Sequence, residues 1–215
     1  MNARPISRPG SALLRRLREP APPQPERCGF CGVRLPSGHR HVVDTDDRAL
    51  ACTCPACAML FETPGAAEGR YRKVPDRYLM DPAHELGRSD WESLQIPVST
   101  AFFFRNTALR RLIALYPSPA GPTESELDPQ TWEFTLGRTR LAGLLEPDVE
   151  ALLLRRTTEG LQYFLVPIDV CYELVGRMRL HWQGFDGGSR ARAELDSFFA
   201  RVEQRARVLA QEVAS

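Results

Sequence analysis

The sequence predicts an α+β protein in which a four-cysteine finger precedes a domain built on a four-stranded antiparallel sheet. Three observations carry this. Two C-x-x-C pairs, Cys28/Cys31 and Cys54/Cys57, are separated by 22 residues. Two pairs of apolar runs, each joined by a short turn, read as β-hairpins. Each hairpin is followed by a segment with helical spacing of apolar residues, so a ββα unit occurs twice and a further helix closes the chain, ββαββα(α).

Residues 1–27 carry six arginines against two glutamates, and PAPPQPE places four prolines between Pro20 and Glu26. Such a composition buries no core and predicts a mobile basic arm, within which ALLRRLRE (Ala12–Glu19) has the pattern of a short amphipathic helix. Residues 28–62 form the finger, and the polar stretch 63–88 is expected to run over the surface as a connector.

Residues 89–215 are expected to form the α+β domain. Ser89 with Glu92 reads as a capping box for a helical turn that Pro97 stops. Val98–Arg105 and Leu109–Tyr116 make the first hairpin around Asn106-Thr107, and PSPAGPTESEL reads as a loop. Asp128 caps a helix with Pro129 in its first position, ending near Gly137 or continuing to Leu145. Val149–Thr157 and Leu161–Val166 form the second hairpin, turning at Glu159-Gly160. Ile168, Cys171, Val175, Met178 and Trp182 then recur at helical spacing. After the break at Gly187-Gly188-Ser189, a last helix carries the stripe Leu195, Phe198, Phe199, Val202, Ala206 and Leu209. The helices are expected on one face of the sheet.

Composition narrows the function classes. The 43% hydrophobic content supports a sizeable core, and 28 basic against 27 acidic residues leave no global field toward nucleic acid or membrane. Of the basic residues 27 are arginine, and they are scattered. No apolar run approaches the roughly 18 residues of a transmembrane helix, and no signal-peptide h-region opens the chain. A cytoplasmic protein is expected, and there paired cysteines point to metal or redox chemistry ahead of structural disulfides.

A C-x-x-C turn presents both thiolates to one side, and Gly32 lets the chain turn tightly beneath them. Two such turns facing each other give the four-sulfur tetrahedral cage that zinc favours. The 22-residue interval leaves room for a hairpin over roughly Arg40 to Cys52. Ala58-Met59-Leu60-Phe61 suits a helix with Cys54 and Cys57 in its first turn, a treble-clef or ribbon-like arrangement. The expected ligands are Cys28, Cys31, Cys54 and Cys57, with zinc as the metal. Iron is the alternative, because CGFCG and CPAC are similar to the turns that hold the single iron of rubredoxin. Ala58 stands where rubredoxin has a second glycine, however, and its flanking aromatics are missing. Cys52 is a surplus thiol that could replace Cys54 as ligand but is expected to pack beside the site. His39 and His41 are expected on a surface hairpin, and Cys171 as a buried small hydrophobe.

No catalytic constellation is legible. His84 and His181 are isolated, and no phosphate loop, nucleophile elbow or H-E-x-x-H occurs. Glu124, Glu126 and Asp128 read as helix-capping acids, and Asp169, Glu173 and Arg177 as ordinary helical pairs.

CGFCG…CTCPACAMLF, GRYRKVPDR, IPVSTAFFFRN…YPSPAGPTESEL and LEPDVEALLLRR…YFLVPIDVCYELVGRMRLHWQG together resemble an uncharacterised bacterial family, a domain of unknown function encoded beside [NiFe] uptake hydrogenase genes, over about residues 26–200. The resemblance implies an accessory, assembly or interaction protein whose partner is a hydrogenase subunit or maturation factor. With the residue reading it yields a non-catalytic zinc protein that binds a protein partner. An iron electron-transfer protein is the alternative. A nucleic-acid-binding finger is more distant, given the near-zero net charge and no basic helix after the finger.

Overall fold

A computed structural model describes residues 25–63, 65–184 and 187–210. Residues 1–24 of the arm, including its predicted amphipathic helix, lie outside the described residues.

Two sheets organise the chain. The smaller has the order β2-β1-β3, from β1 (Arg40–Asp44), β2 (Ala49–Thr53) and β3 (Tyr71–Lys73), all antiparallel. The expected hairpin between the cysteine pairs is therefore present. The short helix α1 (Pro55–Met59) follows it with Cys54 as N-cap.

The larger sheet has seven strands, where the sequence predicts four. Its centre is the predicted pair of hairpins, β5 (Thr100–Asn106) with β6 (Arg111–Ser118) and β8 (Glu150–Arg156) with β9 (Leu161–Pro167). These stand in the order β9-β8-β5-β6, all antiparallel. Three outer strands come from segments read as connector, loop and helix. They are β4 (Leu79–Met80), β7 (Gly121–Ser125) and β10 (Arg207–Val208), of which β10 runs parallel to β4.

Each departure has a local cause. Proline lacks the N–H that a ladder needs, so PSPAGP reads as loop. Pro117 and Pro122 nevertheless face each other at the sheet's edge, beyond Leu115, the last β6 residue paired with β5. The C-terminal helix stops at Arg205, and Arg207 N–H and Leu209 N–H bond Tyr78 O and Met80 O at 2.9 and 2.8 Å. Ala206 and Leu209 consequently leave the helical stripe and pack against apolar clusters on opposite faces of the sheet.

The sheet is covered on both faces, not one. Phe102, Phe104, Ala151, Leu153, Phe164 and Val166 point toward α5 (Ile168–His181) and α6 (Gly188–Arg205). Their neighbours Ala101, Phe103, Leu152, Leu154, Tyr163 and Leu165 face α2 (Arg88–Ser93), α3 (Pro129–Phe134) and α4 (Arg140–Leu144). Strand β8 reads as an unbroken apolar run because both its faces are buried. Asp128 caps α3 as predicted, accepting Thr131 N–H at 2.9 Å; of the two expected ends the earlier, near Gly137, is the closer, since α3 stops at Phe134 and Thr139 starts α4 separately. In α2 the cap shifts to Gly87, whose N–H donates to Asp90 Oδ2 at 2.7 Å.

The segment expected to run over the surface supplies β3 and β4 and buries Val74, Tyr78 and Leu86. Val43 of β1 and Val74 belong to the same apolar cluster as α5 and α6, so the cysteine-bearing sheet rests directly on the sandwich.

Candidate metal centre

The first cysteine turn is closed by backbone bonds. Gly32 N–H donates to Cys28 O and Cys28 N–H to Val33 O, each at 2.9 Å. Gly32 sits at φ +71°, a left-handed conformation that a residue with Cβ adopts only with strain. The second turn is the start of α1: Cys54 Sγ accepts Cys57 N–H at 3.4 Å, with Pro55 in the first helical position. Gly29 N–H reaches across to Cys52 O at 2.9 Å and ties the two turns together.

This brings the sulfurs of Cys28, Cys31, Cys54 and Cys57 within 4.8 Å of one another, a group that could hold a metal ion. Cys31 and Cys54 Sγ are 3.7 Å apart. Metal–sulfur bonds of about 2.3 Å put neighbouring sulfurs of a tetrahedron roughly 3.8 Å apart. Cys28 and Cys54 are buried, Cys57 is half-buried and Cys31 is exposed.

Electrostatics divide the four thiols. Burial pushes Cys28 up, but the amides of Cys31, Cys54 and Phe30 outweigh it and bring the thiol down to about 6. Hydrogen bonding to Cys54, then burial, pushes Cys57 up to about 12. Four sulfurs this close cannot all ionise by themselves; a cation among them removes the obstacle.

Three aromatic rings cluster around Phe30 of the first cysteine turn. Phe30 sits between the first two cysteines, Phe61 follows α1, and Tyr71 comes from β3. Their centroids lie 5.0 Å (Phe30–Phe61), 5.2 Å (Phe30–Tyr71) and 5.2 Å (Phe61–Tyr71) apart. Sequence reading missed this trio because its members come from three separate segments.

Cys52 lies outside the four-sulfur group and inside another, with His39 and His41. The histidines are not on a solvated hairpin as expected: the His39 side chain retains 6% exposure and that of His41 24%. Burial pushes the Cys52 thiol up. Cys171 is fully buried on α5, and burial raises its thiol well above the ordinary value, as befits a small core residue. The spacing pairs Asp169 with Glu173 on the helix; the Asp169 carboxylate instead bonds His41 Nδ1 at 2.8 Å. Glu173 does pair with Arg177, at 2.7 Å.

The fold and site thus define an α+β protein with antiparallel sheets and a four-cysteine group able to take a metal ion. The chain belongs to a family of unknown function, DUF5947, whose profile matches residues 27–206 and so spans the cysteines and every strand except β10. No curated protein and no solved structure gives a significant match. Among the described residues no helix is long and apolar enough to cross a membrane.

Proposed function

We propose that the chain is a non-catalytic accessory protein of the cytoplasm, in which Cys28, Cys31, Cys54 and Cys57 hold one zinc ion and the finger so formed presents a surface to a protein partner. The convergence of four sulfurs from two backbone-locked turns, at a spacing suited to a tetrahedral ion, carries this reading. Four thiolates fill the coordination sphere and leave no position for a substrate, which favours a structural ion.

The partner surface is supported by apolar side chains on both turns. Phe30 and Val33 on the first are 39% and 49% exposed, and Met59 and Leu60 on the second 64% and 66%. Resemblance to a family encoded beside [NiFe] uptake hydrogenases makes a hydrogenase subunit or maturation factor the proposed partner. Metal analysis of native protein together with co-purification from a native host tests both parts, using the whole chain and a chain lacking residues 1–27. One zinc per four-cysteine group and recovery of a hydrogenase component are expected. Recovery of none with either chain removes the hydrogenase reading.

An electron-transfer protein with one iron in the same cage is the second reading. The cluster of Phe30, Phe61 and Tyr71 favours it, since it gathers on the first cysteine turn aromatic rings that no linear motif displays. A colourless, zinc-loaded, redox-silent native protein ends it.

A further inference from the structure

A second cluster of metal-ligating side chains lies next to the four-cysteine group, and the proposed zinc cage does not use it. One ring nitrogen each of His39 and His41 and the Cys52 Sγ meet within 4.8 Å. The strand register explains the meeting. His41 is the cross-strand partner of Cys52 in the β1–β2 ladder, and His39 stands two residues before His41, on the same side of the chain. The imidazole centroids are 4.7 Å apart.

The hydrogen bonds decide which nitrogens are free. Nδ1 of His41 contacts Asp169 Oδ2 at 2.8 Å, and Nδ1 of His39 contacts Pro36 O at 3.1 Å. A carbonyl only accepts, so His39 Nδ1 carries the proton there and Nε2 is left as the lone-pair nitrogen. That Nε2 is buried and has no partner, although the side chain is 94% removed from solvent by the 6% exposure it retains. A buried imidazole nitrogen without a partner is costly unless something accepts its lone pair. Asp169 holds His41 the same way. This is the arrangement seen around bound metals, in which the far nitrogen of each histidine is fixed by a carboxylate or carbonyl and the near one is aimed at the ion. Asp169 lies in the first turn of α5, so the sandwich itself orients a ligand carried by the cysteine-bearing sheet.

We propose that His39, His41 and Cys52 form a second metal site, for a divalent transition-metal ion, distinct from the four-cysteine group. Two imidazoles and one thiolate are a borderline-soft set suited to zinc, cobalt or nickel and ill suited to magnesium or calcium. Three protein ligands leave a fourth position open for water or an exogenous ligand. The two sites therefore differ in kind: a saturated one that staples the turns, and an open one from which an ion can exchange. Asp169 is a positioning residue for this second site.

The test uses the full-length chain, kept reduced, loaded with excess Co(II) and freed of unbound metal, with cobalt counted per chain. Wild type is expected to bind two ions. His39→Asn/His41→Asn is expected to bind one, and Cys52→Ser likewise, because asparagine keeps a donor near the Nδ1 position and removes Nε2. Asp169→Asn should retain the site but weaken it on the order of 10- to 100-fold. Circular dichroism and thermal melts check that each variant is folded. A folded wild type that stops at one ion, with that ion lost in Cys28→Ser/Cys31→Ser, overturns the inference. So does a histidine variant that still binds two. One ion that survives Cys28→Ser/Cys31→Ser but is lost in the histidine variant upholds the inference and removes the four-cysteine reading instead.

Discussion

Replacing Arg77 with methionine tests the contact that fastens the segment between the two sheets to strand β8, together with the weaker contacts of the same guanidinium to Leu144 O at 3.0 Å and Glu146 at 3.6 Å. Arg77 Nε and Nη2 donate to the two oxygens of Glu150 at 2.8 and 2.6 Å, and Glu146 N–H donates to Glu150 Oε2 at 3.0 Å. The Glu150 side chain has no solvent exposure, whereas the Arg77 side chain keeps 36%. Arg77→Met therefore strands a buried carboxylate with one of its three donors. Removing one partner of a buried pair costs about 3–5 kcal/mol, and the partial exposure of Arg77 places the expected cost near the lower figure, about 3 kcal/mol. For a chain of this length that corresponds to a fall in Tm of about 6–12 °C. The double variant Arg77→Met/Glu150→Leu removes the stranded charge and leaves the Glu146 N–H and the Leu144 carbonyl without those partners, so it should recover part of the loss. The assay is calorimetry of the metal-loaded single and double variants against wild type. A fall of under about 2 °C for Arg77→Met, or a double variant no better than the single, refutes the reasoning.

Three further outcomes are expected. Cys28→Ser should lose the ion and the order of the finger, since metal binding at such sites contributes on the order of 10 kcal/mol to folding; metal content and limited proteolysis read this, and full retention of metal contradicts it. Arg70 hydrogen bonds, against the opposing effect of burial, depress the Asp44 carboxyl to about 2. A folded-state value below the ordinary one of about 3.9 means its stabilisation is complete above about pH 4 and is lost as pH falls toward 2. Urea melts should therefore show Asp44→Asn weaker than wild type at neutral pH and converging with it near pH 2, and an undiminished gap there counts against the pairing. Gly137→Ala would place a Cβ 3.0 Å from both Trp132 Nε1 and Trp132 O and 3.1 Å from Glu133 Cα; the overpacking should cost about 1–3 kcal/mol by denaturant melts, and an unchanged midpoint would show that the turn can relax.

The legible parts of this chain are those whose signals are local. Both hairpins, the turn at Asn106, the Asp128-Pro129 helix start and the Ile168–Met178 stripe are each written within about 20 residues. The convergence of Cys28, Cys31, Cys54 and Cys57 was equally readable, because C-x-x-C fixes pairs of sulfurs and only the facing of two pairs is left to the fold. What escaped is non-local. Leu79-Met80 is too short and too isolated in polar sequence to announce a strand; it becomes one because β9 on one side and Arg207–Val208 on the other supply partners. The second layer of helices was missed for a related reason. The runs FFF and LLL pack both faces of the sheet, and an unbroken apolar run states burial without saying how many layers provide it. HRH reads as a surface stretch because nothing in it reveals that Asp169, 128 residues after His41, bonds the His41 ring.

These non-local contacts also bear on why a cysteine-bearing hairpin sits against an α+β sandwich. A small sheet of short strands buries too little to be stable alone, and a metal is the usual remedy. Here there is a second support. Val43 and Val74 enter the apolar cluster of α5 and α6, and His41 is bonded to Asp169 in the first turn of α5. On the sandwich side Asp148 accepts Thr107 N–H at 2.9 Å and the Thr107 hydroxyl at 2.6 Å, while Arg72 of β3 approaches the same carboxylate at 3.5 Å. Loss of the ion would free the two cysteine turns and α1, yet the β1–β3 pairing would still be held by the core beneath it. An ion bound there would therefore govern the outer end of the module, where Phe30, Val33, Met59 and Leu60 are exposed, far more than the end seated on the helices. A metal placed this way controls the shape of the proposed docking face while the sandwich keeps its fold.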